Sequence, residues 1–215
     1  QIFDRMLSAM VKGPSLELGA GPGFFAAYHP GIIATDMTGH RGIHATADAH
    51  ALPFPDTCFA NVAGIDVVHH LAQPATALRE VARVLRVGGR LILVEPWSGP
   101  MASLFYKFVH HEDCYRVDDP WEKPFTGRED IMDGNATIPK TLFHDRVGEL
   151  ADRVPHLHHV KTEPFGCLSY LLTGGFQNWG VSRGAIDRLS AMEAHLPKAI
   201  NAFVSTRALF ILEKK

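Results

Sequence analysis

Cysteine is scarce in this 215-residue chain: Cys58, Cys114 and Cys167 are the only three. They are scattered and odd in number, with no C-x-x-C pair, which argues against a disulfide scaffold and a thiolate zinc site. No apolar run approaches the ~18 residues that a membrane span needs. Gln1–Arg5 lacks the shape of a signal peptide, so the expected compartment is the cytoplasm. Neither sign of charge is in excess. The 21 basic and 23 acidic residues sum to −2, which argues against a protein that reads nucleic acid by bulk charge. Repeats and low-complexity tracts are also lacking. What is there, 46% hydrophobic and 20% charged residues, can bury a core. The length suits one domain, expected to span 1–215.

Strand and helix patterns alternate through the first half. Ile2, Phe3, Met6, Leu7 and Met10 share a helical face, predicting a helix over 2–11 that Gly13-Pro14 ends. Strands are expected at 15–18, 32–36, 43–46, 59–65 and 90–95, with a short helix over 24–28 and a longer one over 74–87, stopped by Gly88-Gly89. Such alternation means a parallel sheet with right-handed crossovers. After the fifth strand the periodicity fades. Residues 97–140, rich in Pro, Asp, His and aromatics, read as a substrate-facing insertion, or lid. A helix over 141–154 and closing strands at 156–163 and 204–213 complete the pattern. The fold class expected is α/β: a doubly wound, mostly parallel seven-stranded sheet.

The strongest motif is Glu17-Leu18-Gly19-Ala20-Gly21-Pro22-Gly23. A glycine turn between a first strand and a helix lets a ligand approach the backbone closely. Asp36 ends the second strand, where a carboxylate can accept from both hydroxyls of a ribose. A dinucleotide site expects G-x-G-x-x-G, but the spacing here is G-x-G-x-G, followed by Phe24 and Phe25. Glu17 beside the turn would repel a pyrophosphate and suits a cationic ligand such as a sulfonium or an amino group.

With these features the chain resembles the class I S-adenosylmethionine-dependent methyltransferases, in the broad group that includes the ubiquinone and menaquinone C-methyltransferases. The resemblance runs from Leu16 to Pro96. It rests on the Glu17–Gly23 turn, Asp36, the segment Ala47–Asp56, the stretch Ile65–Leu71 with its His69-His70 pair, and the run Leu78–Leu91. It implies S-adenosylmethionine as cofactor. Glu17 and the Gly19, Ala20, Gly21 and Gly23 backbone would hold its methionine part, Asp36 its ribose, and Met37, Asp48 and Ala49 its adenine. Asp66 would lie near the transferred methyl. Ala60 departs from the family pattern, which has Asp after the aromatic residue. Pro22, where the family commonly has Thr, removes a backbone donor. From Trp97 onward the chain is similar to a bacterial subgroup with no settled acceptor. The resemblance therefore implies the reaction and leaves the acceptor open, with a small molecule expected.

Two histidine pairs fall where an acceptor must lie. His69-His70 follows the fourth strand and His110-His111 lies in the insertion. His70 and His111 are the candidate general bases; His69, His110, Trp97 and Tyr106 are the candidate acceptor-side residues. Neither pair has metal-ligand spacing, so no metal is expected. The competing reading of His69-His70 is that one caps the next helix while the other packs under it. Two other functions share the sheet and Asp36: a nicotinamide oxidoreductase, and a silent cofactor-binding protein.

Overall fold

The computed structural model describes residues 2–103, 113–127, 130, 132–166, 169, 182–193 and 195–215. Seven strands form one sheet: β1 (Ser15–Leu18), β2 (Ile32–Asp36), β3 (Ala45–Thr46), β4 (Phe59–Ile65), β5 (Leu85–Pro96), β6 (Leu157–Phe165) and β7 (Arg207–Lys214). Their spatial order is β3-β2-β1-β4-β5-β7-β6. The first five run parallel, and β7 lies antiparallel between β5 and β6. Leaving β1, the chain turns to β2 on one side and later reaches β4 on the other. That reversal opens a crevice at the carboxyl ends of β1 and β4, the place where such sheets bind ligands.

Alternation along the strands builds a core on each face. On β5, Leu91 and Leu93 join Leu16, Leu18, Val62, Phe210 and Leu212 beneath α3 (Pro74–Val84). Ile92 and Val94 face the other way, with Ile32, Leu209 and Ile211, toward α1 (Ile2–Ala9) and α2 (Phe24–Tyr28). Burial of both faces is why these strands read as nearly continuous apolar runs.

Further helices among the described residues include α4 (Ile138–Lys140), α5 (Leu150–Arg153), α6 (Arg183–Glu193) and α7 (Lys198–Val204). Two expectations are corrected. The helix over 74–87 ends at Val84, because Leu85 turns extended and pairs with Phe59 at the start of β5. Gly88-Gly89 then lies within β5, where the register shifts. The helix expected over 141–154 is broken. A π turn spans Thr141–Asp145, with the Arg146 N–H reaching back to the Thr141 carbonyl at 2.8 Å, and a 3-10 turn precedes α5.

Of the insertion, the described parts are pinned to the body. Trp121 is fully buried; its indole N–H donates to Glu149 Oε2 at 2.9 Å, and its carbonyl accepts from Ala75 at the start of α3. Buried Asn135 ties the insertion together. Its amide donates to the carbonyls of Tyr115 and Pro124, and its side-chain oxygen accepts from Thr137. Among the described residues no helix is long and apolar enough to cross a membrane.

Candidate functional site

The turn after β1 is built for close approach. Gly19, Gly21 and Gly23 all have left-handed backbones, at φ 60°, 50° and 78°. At Gly19 a Cβ would also strike Val67 Cγ2 at 2.6 Å. At Gly21 a Cβ would meet nothing within 4 Å, so the space over this peptide is open. The N–H groups of Ala20 and Gly23 are engaged within the fold, donating to the carbonyls of Thr35 and Ala20. The Gly21 N–H donates to Asp36 Oδ2 at 2.8 Å, and Pro22 has none to give. What this turn presents is therefore open backbone more than free donors.

Glu17 lies in β1, just before the turn, and is 4% exposed. Its Oε2 meets no hydrogen-bond partner among the described residues. Burial pushes its carboxyl up to about 7, against the opposing backbone N–H of Ala26. A buried carboxylate with an unfilled acceptor is costly unless a positive group meets it. This donor-poor, acid-bearing crevice fits the sulfonium and ammonium of S-adenosylmethionine and opposes a pyrophosphate.

Asp36, at the end of β2, does more than wait for a ligand. Oδ2 accepts from Gly21, while Oδ1 accepts from the backbone and hydroxyl of Thr38, each at 2.8 Å. Burial alone would raise its carboxyl, but these donors and His40 hold it below the usual range. Three of roughly four lone-pair positions are thus filled, leaving space for ribose on a carboxylate already fixed in place. Met37 beside it is 49% exposed, an apolar surface open to a base. Asp48 accepts from the backbone and Nδ1 of His50, which offset the burial that would raise it and keep it low. Ala49 packs against the core beneath α3. The loop after Asp48 is clamped: Arg83 donates to the carbonyls of Leu52 and Phe54 and to Glu80, whose carboxylate accepts the Leu52 N–H.

Across the crevice a second polar group surrounds the end of β4. Asp66 has a left-handed backbone, φ 57°, and its carboxylate pairs with the guanidinium of buried Arg207, at 2.5 and 2.8 Å. Glu95, fully buried near the end of β5, accepts from the N–H groups of Val67 and Val68 at 2.8 and 2.7 Å. Its other oxygen meets His69 Nδ1 at 2.8 Å. His69 is fully buried, and its ring lies 4.0 Å, centroid to centroid, from that of half-buried His70. Gly134 of the insertion packs on both: a Cβ there would sit 2.9–3.0 Å from ring atoms of His69 and His70.

His69, expected to face the acceptor, is instead a buried bridge between Glu95 and His70. Trp97, with the same expectation, is also corrected. It is 2% exposed, its indole donates to the Ala202 carbonyl, and it belongs to the core because β5 carries it inward. Tyr106, His110 and His111 lie outside the described residues. Asp66, His69 and Glu95 bring potential metal-ligand atoms within 4.8 Å of one another. Here, however, Asp66 is neutralised by Arg207 and Glu95 is filled by three donors. Sequence reasoning missed Glu95, Arg207 and Gly134 as parts of this site. Glu95 offered a signal, a lone acid closing an otherwise apolar strand. Arg207 offered only its place near the start of the last strand.

A family model described as a methyltransferase domain matches residues 16–93, which hold the glycine turn, Asp36, Asp48, Asp66 and the histidine pair. An uncharacterized methyltransferase of Bacillus subtilis, YcgJ, is 29% identical over 185 residues, covering 69% of this chain and 72% of that protein. The 27-O-demethylrifamycin SV methyltransferase of Amycolatopsis mediterranei is 43% identical over 53 residues, 25% of this chain and 20% of that enzyme. Among solved structures, a SAM-dependent methyltransferase of Thermotoga maritima, described as a possible histamine N-methyltransferase, superposes with a TM-score of 0.59. The two are 13% identical over all of this chain and 88% of that one, a likeness of fold alone.

Proposed function

We propose that the chain is a class I S-adenosylmethionine-dependent methyltransferase that methylates a small-molecule acceptor held beside His70. The observation that carries this reading is the pairing of two unlike walls at one crevice: the acid-bearing glycine turn after β1 and the half-buried imidazole after β4. When bound, the cofactor supplies a methyl on a cationic sulfur that departs as a neutral thioether. Glu17 balances positive charge, the turn from Gly19 to Gly23 admits the methionine part, and Asp36 takes the ribose. Met37, Asp48 and Ala49 would receive the adenine, and Asp66 would lie near the transferred methyl. Because no departing anion needs stabilising, the protein's share is to hold the acceptor in line and exclude water. For a hydroxyl or ammonium acceptor a proton must also leave, and His70 Nε2 receives it; His111 is the second candidate.

The near-neutral charge and the packing of Gly134 and Asn135 of the insertion on the His69-His70 turn support a small acceptor over nucleic acid. Labelled S-adenosylmethionine with a panel of hydroxyl, amine and carbon nucleophiles tests this reading. Label is expected in a small product, at a rate ~10²-fold lower in His70→Ala or His111→Ala, with cofactor affinity nearly unchanged. Transfer that needs an added divalent metal, or full activity in both variants, would overturn the base assignment. Label found only in nucleic acid would overturn the acceptor class.

A further inference from the structure

We infer that Glu95 is a positioning residue, whose carboxylate fixes the His70 imidazole through His69 and the Val68–His70 turn. The inference rests on the reading of His70 as the acceptor-side base. Oε1 of Glu95 accepts the N–H groups of Val67 and Val68, which open the 3-10 turn Val68–His70 and have no helical carbonyl to meet. Oε2 meets His69 Nδ1. With Oε1 accepting two N–H groups and Oε2 turned to the ring as an acceptor, the proton of this bond sits on Nδ1. One buried side chain thereby sets the backbone that carries both histidines and the tautomer of the first. The His69 ring then forms a wall for His70, at 4.0 Å and 41° between planes. The opposite restraint comes from the insertion. The Asn135 N–H donates to the His69 carbonyl at 2.9 Å, and Gly134 lies against both rings with no room for a Cβ. His70 is thus held between an element of the sheet and an element of the insertion.

The test is the imidazole nitrogen and carbon NMR spectrum of the full chain saturated with S-adenosylhomocysteine, read beside kcat. In Glu95→Gln, the amide oxygen can still accept from Val67 and Val68, but the amide nitrogen then faces His69 Nδ1 as a donor. His69 is expected to move to its Nε2–H tautomer, the His70 ring resonances to shift, and kcat to fall ~10-fold or more. The KM for S-adenosylmethionine should stay within twofold. Gly134→Ala, which leaves Glu95 alone, should displace the same His70 resonances. If Glu95→Gln does not fold, His69→Asn keeps an amide donor for Glu95 and removes the ring, and His70 is expected to shift there too. Unchanged His70 resonances in the variants that fold would overturn the inference, whatever the activity. Full activity of His70→Ala with shifted resonances in Glu95→Gln would instead overturn the base assignment and leave the positioning intact.

Discussion

Glu17 shows how far a fold can move one proton. In the unfolded chain its carboxyl titrates at the ordinary value of 4.5, and in the fold burial raises it to about 7. Below about pH 4.5 both states hold the proton. Between there and about 7 only the folded state does, so stability falls as pH rises through this window, by up to about 3 kcal/mol. Glu17→Gln, which cannot ionise, should flatten this part of the profile and gain most over the wild type near pH 8, as denaturant midpoints would show. Equal pH profiles for the two proteins would count against the burial argument. A cationic ligand reverses the preference by favouring the ionised acid. S-adenosylmethionine should therefore bind more tightly at pH 8 than at pH 6 and release protons at pH 6–7, which calorimetry in buffers of different ionisation enthalpy reads directly. Asp36 behaves differently, because its donors already hold it ionised. Asp36→Ala should weaken S-adenosylhomocysteine binding by about 1.5–3 kcal/mol, the scale of charge-assisted hydrogen bonds. It also frees the Gly21 N–H, so exchange of that amide should quicken in the same variant. Affinity within twofold of wild type would remove Asp36 from the ribose site.

At the scale of elements, the sheet was legible, its two closing strands included, and the insertion was not, for one reason. Strands β1 and β4 and the 91–94 stretch of β5 are buried on both faces, so their apolar runs identify them without any knowledge of neighbours. The insertion has no such face. Its order comes from Asn135, whose amide satisfies the carbonyls of Tyr115 and Pro124, 20 and 11 residues away. No local pattern announces a hydrogen-bond hub of that kind. Asn135→Ala should leave the buried Pro124 carbonyl without its donor, while the Tyr115 carbonyl keeps the Thr137 hydroxyl, at a cost of about 1–3 kcal/mol. The loss should be local. Hydrogen exchange should speed up across 113–127 and 132–140 while β4 and β5 keep their protection. Uniform loss of protection through the sheet would mean that the insertion and the core open as one unit. The cofactor wall follows the same division. Glu17, Gly21 and Asp36 are short-range features of one strand-turn-helix unit and could be singled out from sequence, whereas Glu95, Arg207 and Gly134 meet at the end of β4 from segments far apart in the chain.

Over the whole molecule, the reversal between β1 and β4 opens a crevice, and on the proposed reading a ligand's charge decides which nucleoside cofactor it admits. A dinucleotide would bring a pyrophosphate to a turn where Pro22 has no donor, the N–H groups of Ala20, Gly21 and Gly23 are already engaged, and Glu17 repels it. S-adenosylmethionine and S-adenosylhomocysteine bring an ammonium there, and the former a sulfonium as well. Binding to the native state alone stabilises it by mass action, about 2.7 kcal/mol at a hundredfold excess over Kd. In a chain of this length each kcal/mol moves the melting temperature by roughly 2–4 °C. S-adenosylhomocysteine at that excess should therefore raise Tm by about 5–10 °C at pH 8, while NAD at the same concentration leaves it unmoved. Because Glu17 must ionise to meet the cation, the shift should shrink on going from pH 8 to pH 6, and Glu17→Gln should lose that pH dependence. A shift from NAD equal to that from S-adenosylhomocysteine would show that charge at this turn does not select the cofactor.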